Sequence, residues 1–150
     1  MATFALALID GLSASGDALV RVRALVRNGR NEFDRFCRKA QTAGRGTDLQ
    51  ILLRYLDDLA EGKPLPASKF KPLRAGSGGA KAHPGKYELK QGRPRAYCVR
   101  AGDELVVVFS GHAKKGRGGR RNTDQDDMIA AFRQRIGEID GPLADLPELD

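Results

Sequence analysis

The residues in this chain best suited to chemistry are cations grouped with an aromatic ring. Lys90, Arg95 and Tyr97 stand close together, and a basic run holding Lys114, Lys115, Arg117, Arg120 and Arg121 follows shortly after. A guanidinium fork donates two parallel hydrogen bonds to a phosphate, a lysine ammonium adds a point charge, and an aromatic face stacks a base. Together these types suit phosphate binding with base stacking. They can do so only on a shared face, which the elements that carry them must create.

Three short runs read as strands: Lys86 to Lys90, Arg95 to Arg100, and Glu104 to Ser110. Gln91-Gly92-Arg93-Pro94 and Ala101-Gly102-Asp103 join them as two consecutive hairpins. Leu105-Val106-Val107-Val108-Phe109 is apolar on both phases, which predicts a central strand covered on both sides. Alternation places Tyr87 and Leu89 on one face and Lys86, Glu88 and Lys90 on the other. It likewise separates Ala96 and Cys98 from Arg95, Tyr97 and Val99. With helices over Ala96 and Cys98, the residues Arg95, Tyr97, Glu88 and Lys90 share an open side. The segment Lys114 to Arg121 leaves the end of the adjacent central strand and can fold over that side.

The covering helices are legible in periodicity. Phe33, Phe36, Cys37 and Ala40 follow i, i+3, i+4, i+7, which predicts a helix over about Glu32 to Gln41. Thr47 with Gln50 reads as a capping box ahead of a stripe of Leu49, Leu52, Leu53, Leu56 and Leu59, ended by Gly62 and Pro64. Upstream, Phe4, Leu6 and Leu8 alternate as a strand. Val20 to Arg23 also alternates, although residues 18 to 27 fit a helix through Leu19, Val22 and Val26 with Asp17 as cap. Gly62 to Ser68 reads as a turn and Ala75 to Gly85 as a glycine-rich loop. Thr123 is placed to cap a last helix with an acidic first turn (Asp124, Asp126, Asp127) and a stripe of Met128, Ile129, Phe132 and Ile136. The tail from Asp140, with two prolines and four acids, is expected to be loosely held. The expected fold is α+β: a helical hairpin packed on a small, mainly antiparallel sheet, with a C-terminal helix.

Length and charge bound the function. At 150 residues and 41% apolar content the chain supports one compact core, which excludes a multidomain enzyme. The longest apolar runs, Phe4 to Ile9 and Leu105 to Phe109, fall far short of the roughly 18 to 20 residues that cross a bilayer. No Lys or Arg precedes Asp10, so the basic start of a secretory signal is missing and a cytoplasmic protein is expected. Cys37 and Cys98 lack metal or disulfide spacing and read as free thiols. The net charge of +7 is uneven. Residues 1–62 hold 9 bases and 8 acids, residues 63–121 hold 15 and 3, and residues 122–150 hold 2 and 8. The basic excess lies in the middle, and nucleic acid is the usual anionic partner of such a segment.

The run Lys71-Pro72-Leu73, Lys86-Tyr87-Glu88-Leu89-Lys90, Arg95, Leu105-Val106-Val107-Val108-Phe109, Lys114-Lys115, Thr123 and Asp127-Met128-Ile129-Ala130-Ala131 resembles the RelE/ParE superfamily of toxins from type II toxin-antitoxin systems. It is most similar to the HigB-like, often phage-borne, branch. The resemblance covers about residues 31–137, with residues 1–30 as an N-terminal extension and 140–150 as an acidic tail. It implies a helical hairpin on a small antiparallel sheet and metal-free cleavage of messenger RNA on the ribosome, or, as in the ParE branch, poisoning of DNA gyrase. Matched motif to motif, the family's basic strand position falls on Lys90, its arginine after the hairpin on Arg95, and its basic pair on Lys114 and Lys115. No tyrosine follows Tyr97, where many members carry a late tyrosine or histidine for proton transfer.

Metal-free RNA cleavage needs a base for the 2′-hydroxyl, cations for the phosphorane and an acid for the departing 5′-oxygen. Arg95 with Lys114 or Lys115 would supply the cations. His112, two residues before the lysine pair, is the best-placed titratable group, its ordinary pKa of about 6.5 being near working pH. Glu88 is a second candidate base, unless it only pairs with Lys90 or Arg95. Asp124, Asp126 and Asp127 read as partners of a helix dipole, so neither metal nor cofactor is expected. The expected partners are messenger RNA on the ribosome and an acidic antitoxin protein, with no membrane. The competing expectation is a non-enzymatic inhibitor, either a gyrase poison or an inactive member that only binds nucleic acid.

Overall fold

The computed structural model describes residues 2–12, 19–72, 85–113, 130–132 and 134–149. The strands are β1 (Phe4–Ala7), β2 (Arg21–Arg27), β3 (Arg30–Asn31), β4 (Phe70–Pro72), β5 (Lys86–Lys90), β6 (Pro94–Ala101), β7 (Leu105–Ala113) and β8 (Glu148–Leu149). Two helices, α1 (Glu32–Thr42) and α2 (Gly46–Ala60), follow β3. Helical residues 130–132 and 134–137 form a C-terminal helix, and a short 3-10 turn (Leu143–Asp145) precedes β8. The strands make one mixed, mainly antiparallel sheet in the order β4-β5-β6-β7-β2-β1-β8, with β3 beside β2. The fold is thus α+β, as expected, on a sheet larger than expected.

Residues 4–7 and 21–27 account for the difference. The alternating stretch after Val20 is strand β2, which pairs in parallel with β7 (Arg21↔Leu105 to Ala24↔Val108) and antiparallel with β1. Its Val22 and Ala24 are buried on one face and Leu25 on the other, so both faces must be covered, and the helical alternative is overturned. Asp17, the cap imagined for that helix, lies outside the described residues. Asn28 and Gly29, with φ of 52° and 75°, turn the chain from Arg27 to its partner Arg30. Two positive φ values in a two-residue loop match the right-handed twist of the flanking strands.

Helix α1 starts at Asn31, whose side chain accepts the Asp34 amide at 3.0 Å. It ends in a Schellman turn: Gly44, at φ 78°, donates to the Gln41 carbonyl and Arg45 to that of Ala40. That tight link starts α2 at Gly46, with no side-chain cap at Arg45. The expected capping box is therefore corrected, because Thr47 lies inside the helix. The predicted stripes do face the sheet. Phe33, Phe36, Ala40, Leu49, Leu52, Leu56 and Leu59 pack with Leu89, Ala96, Cys98, Val106 and Val108 in one core.

The other face carries a second core, Leu6, Leu25, Tyr97, Leu105, Val107 and Phe109, covered by Phe132 with Ile136, Leu143 and Leu146 around it. Leu105 through Phe109 are all buried, as a central strand covered on both sides requires. The tail is not loosely held. β8 pairs in parallel with β1, the Leu6 amide donates to the Pro147 carbonyl at 2.8 Å, and Glu148 forms ion pairs with Arg21 and Arg23. Strand propensity in Glu148–Leu149 is slight; the open β1 edge gives it backbone partners and the two arginines meet its carboxylate.

Candidate nucleic-acid interface

The two hairpins put the expected basic positions in one cross-strand row. Lys90 pairs with Arg95 across β5 and β6, and Arg95 pairs with His112 across β6 and β7. The next row is Glu88, Tyr97 and Ser110. Tyr97 opposes Ser110 while Cys98 opposes Val108, so Phe109 is an extra, bulged residue of β7. The bulge turns Gly111 toward α1: a Cβ there would lie 2.6 Å from the Phe36 ring and from the Arg95 carbonyl oxygen. Only glycine fits under α1 at this point, and the bulge sets which β7 position lies opposite Arg95.

Arg95 does not stand on an open face. It is 6% exposed, its Nε lies 2.9 Å from Glu88 Oε1, and its Nη1 donates to the carbonyls of Gly92 at 2.5 Å and Pro94 at 3.1 Å. A buried guanidinium is tolerated only when paired and hydrogen-bonded, and here the carboxylate and two turn carbonyls supply that. Glu88 is thereby spoken for as the partner of Arg95. Tyr97 is corrected as a stacking platform. Its ring is fully buried, with its centroid 6.0 Å from that of Phe132, because the C-terminal helix covers the side expected to be open.

Lys90 keeps partial exposure beside Arg95, and Arg93 is exposed in the intervening turn. The backbone of His112 is placed in β7. Lys114, Lys115, Arg117, Arg120 and Arg121 lie outside the described residues, as do Thr123, Asp124, Asp126 and Asp127. The structure thus brings Lys90, Arg95 and the backbone position of His112 together.

Several polar and aromatic groups were not foreseen. Phe70 of β4 stacks on Tyr87 of β5 with centroids 4.4 Å apart and planes 5° apart. Gln91 Oε1 accepts from the Tyr55 hydroxyl at 3.2 Å and from Lys69 Nζ at 3.1 Å, tying the β5–β6 turn to α2. The clearest omission is the arginine set of β2, since Arg21, Arg23 and Arg27 share the spacing of one strand face. Alternation in Val20-Arg21-Val22-Arg23 was its signal.

The surroundings of both thiols disfavour the thiolate. Both cysteines are free. Burial pushes Cys98 up to about 12, and burial followed by the charges of Asp34 and Asp10 pushes Cys37 to about 12. Cys37 lines a cleft of about 510 Å³ between residues 8–11 and the helices, which Asp10, Asp34 and Arg38 also line. Its acidic surplus suits phosphate poorly. Among the described residues no group of three His, Cys, Asp or Glu is placed to hold a metal, and no helix is long and apolar enough to cross a membrane. Comparison of the chain with protein-family models, with curated proteins and with solved structures returned no match.

Proposed function

We propose that this chain is a RelE/ParE-like toxin of the HigB-like type that binds messenger RNA on the ribosome in the cytoplasm and cleaves it without metal. The observation that carries the reading is the cross-strand row of Lys90, Arg95 and His112, at the end of the strand from which the basic segment 114–121 departs. The +12 balance of residues 63–121 supports an anionic polymer as ligand. On this reading Lys90, Lys114 and Lys115 grip phosphate and Arg117, Arg120 and Arg121 extend the grip along the strand. His112 moves the proton. Arg95, held by Glu88, shapes the Gly92–Pro94 turn beneath the phosphate and meets it only in competition with that carboxylate. An acidic antitoxin would bind the same cations.

A second reading is favoured by the burial of Arg95 and Tyr97, which withdraws one cation and one ring from the site. It is a non-enzymatic inhibitor, acting on gyrase or only binding nucleic acid. Primer extension on messenger RNA with ribosomes and purified protein separates them, comparing wild type with Lys114→Ala/Lys115→Ala and His112→Ala. Codon-phased cuts that disappear in both variants are expected. Uncut RNA together with linearised supercoiled DNA in a gyrase assay would replace the nuclease by the gyrase poison, and uncut RNA that is still bound would leave a binding protein.

A further inference from the structure

On strand β2 the residues 21, 23, 25 and 27 point to one side of the sheet, and the only apolar one, Leu25, is buried in the core on that side. The other three are arginines, and each faces a carboxylate from the C-terminal segment. Arg21 Nη1 lies 3.3 Å from Glu148 Oε2, and Arg23 Nε donates to Glu148 Oε1. Arg27 holds Glu138 Oε2 with two donors, Nε at 2.9 Å and Nη2 at 2.8 Å. These are the donor geometries that arginine offers to phosphate oxygens. Alternate residues of a strand stand about 6.6 Å apart, a spacing commensurate with successive phosphates of an extended single strand.

The end of that segment which carries Glu148 is a short, exposed edge, while Glu138 is half-buried. β8 is two residues long, both exposed, and Leu149 retains 47% of its surface. Glu148 sits in the open, its side chain 41% exposed against 36% for Arg21. Exposed ion pairs of this kind are screened by salt and displaced by polyanions, which gain by releasing counterions. Arg23 first, and then Arg21, hold the Glu148 carboxyl below its ordinary range, so it remains an anion competing for those arginines at neutral pH.

We infer that Arg21, Arg23 and Arg27 form a phosphate-binding stripe for a single-stranded polynucleotide, and that Glu138 and Glu148 occupy it internally as carboxylate substitutes for phosphate. The stripe is separate from the row at Lys90 and Arg95, and takes from the proposed function only the identity of its polyanion.

The test is the affinity of a fluorescein-labelled oligouridylate, read by anisotropy from 50 to 300 mM salt, for the full chain. The Glu138→Gln/Glu148→Gln variant keeps hydrogen-bonding side chains and removes the two charges. It is expected to bind on the order of tenfold more tightly at the lowest salt, with a salt slope steeper by about 2, three cations counting about 0.7 each. Adding Arg21→Gln/Arg23→Gln/Arg27→Gln should cancel the gain. A matched control, Asp58→Asn/Glu61→Gln at the C-terminal end of α2, should not reproduce it, and repeating the series with Lys114→Ala/Lys115→Ala keeps it distinguishable from failure of the proposed site. Circular dichroism melts confirm that each protein is folded. Unchanged affinity in the folded Glu variant, or an equal gain in the α2 control, would reduce these pairs to structural ties. A gain seen only for vesicles of phosphatidylserine and phosphatidylcholine would also overturn the inference, in favour of a lipid surface.

Discussion

Replacing Glu88 by glutamine asks how much of the Arg95 site is held by charge. The pair is 2.9 Å apart with side chains 7% and 15% exposed, so water screens it little. Removing one partner of such a pair costs about 3–5 kcal/mol, since the remaining ion is left buried. Glutamine retains an acceptor, and Arg95 keeps the Gly92 and Pro94 carbonyls, which argues for the lower end, about 3 kcal/mol. For a chain of this length each kcal/mol moves the melting point by about 2–4 °C, so Glu88→Gln should melt about 6–12 °C lower. Thermal and urea unfolding followed by circular dichroism measure this. The double variant Glu88→Met/Arg95→Met should recover most of the loss, because an apolar pair of similar volume avoids desolvating two charges. A Glu88→Gln melt within about 2 °C of wild type would refute the reasoning. So would a double variant as unstable as both single changes added together.

Two further outcomes test the neighbourhood. Gly111→Ala places a Cβ 2.6 Å from the Arg95 carbonyl oxygen and the Phe36 ring, and overpacking at such a contact should cost about 2–3 kcal/mol. Phe36→Leu in the same chain should relieve part of that cost, and a thermal melt showing no loss in Gly111→Ala would contradict the close approach of α1. The Cys98 thiol, at about 12 when folded against an ordinary 9.0, keeps its proton after the unfolded chain has lost it. Stability is therefore intact below pH 9 and falls as pH rises from 9 toward 12, at up to about 1.4 kcal/mol per unit for one thiol. Urea midpoints between pH 8 and 10.5 should decline less steeply in Cys98→Ala than in wild type, and parallel slopes would place the thiol in a more polar setting.

The helical hairpin and the two β-hairpins were legible because each is a local pattern. Leu49, Leu52, Leu56 and Leu59 follow one helical face, and Leu105 to Phe109 is apolar on both phases, so burial of each stretch needed no knowledge of its partner. The sidedness of the site was not legible in the same way. Tyr97 alternates with Ala96 and Cys98 as read, but which face stays open depends on where Phe132, Ile136 and Leu143 dock, a contact between distant segments. For Arg95 the sequence leaves both roles open, because nothing local distinguishes a phosphate-binding arginine from one whose charge is met by Glu88 across a strand pair. The place of β2 beside β7 was equally non-local, since parallel pairing leaves no hairpin signal. Asn28-Gly29 did carry a strong local signal for the β2–β3 turn, and it went unused.

The described ion pairs of the acidic tail do not go to the basic middle block of the sequence. The acidic segment 122–150 could neutralise the basic middle, yet its described ion pairs go to β2: Glu148 to Arg21 and Arg23, Glu138 to Arg27. The described ion pairs of the middle block are Arg95 with Glu88, which is internal, and Lys63 with Glu61 of the first block. The tail's pairings draw Glu138 and Glu148 toward a segment that is nearly balanced by itself. Coulomb attraction alone would favour the opposite assignment. Packing decides it, because Phe132, Ile136, Leu143 and Leu146 bury against Leu6, Leu25 and Phe109 and so carry Glu138 and Glu148 to the β1–β2 side of the sheet. The apolar contacts of the C-terminal segment thus fix where these two carboxylates fall.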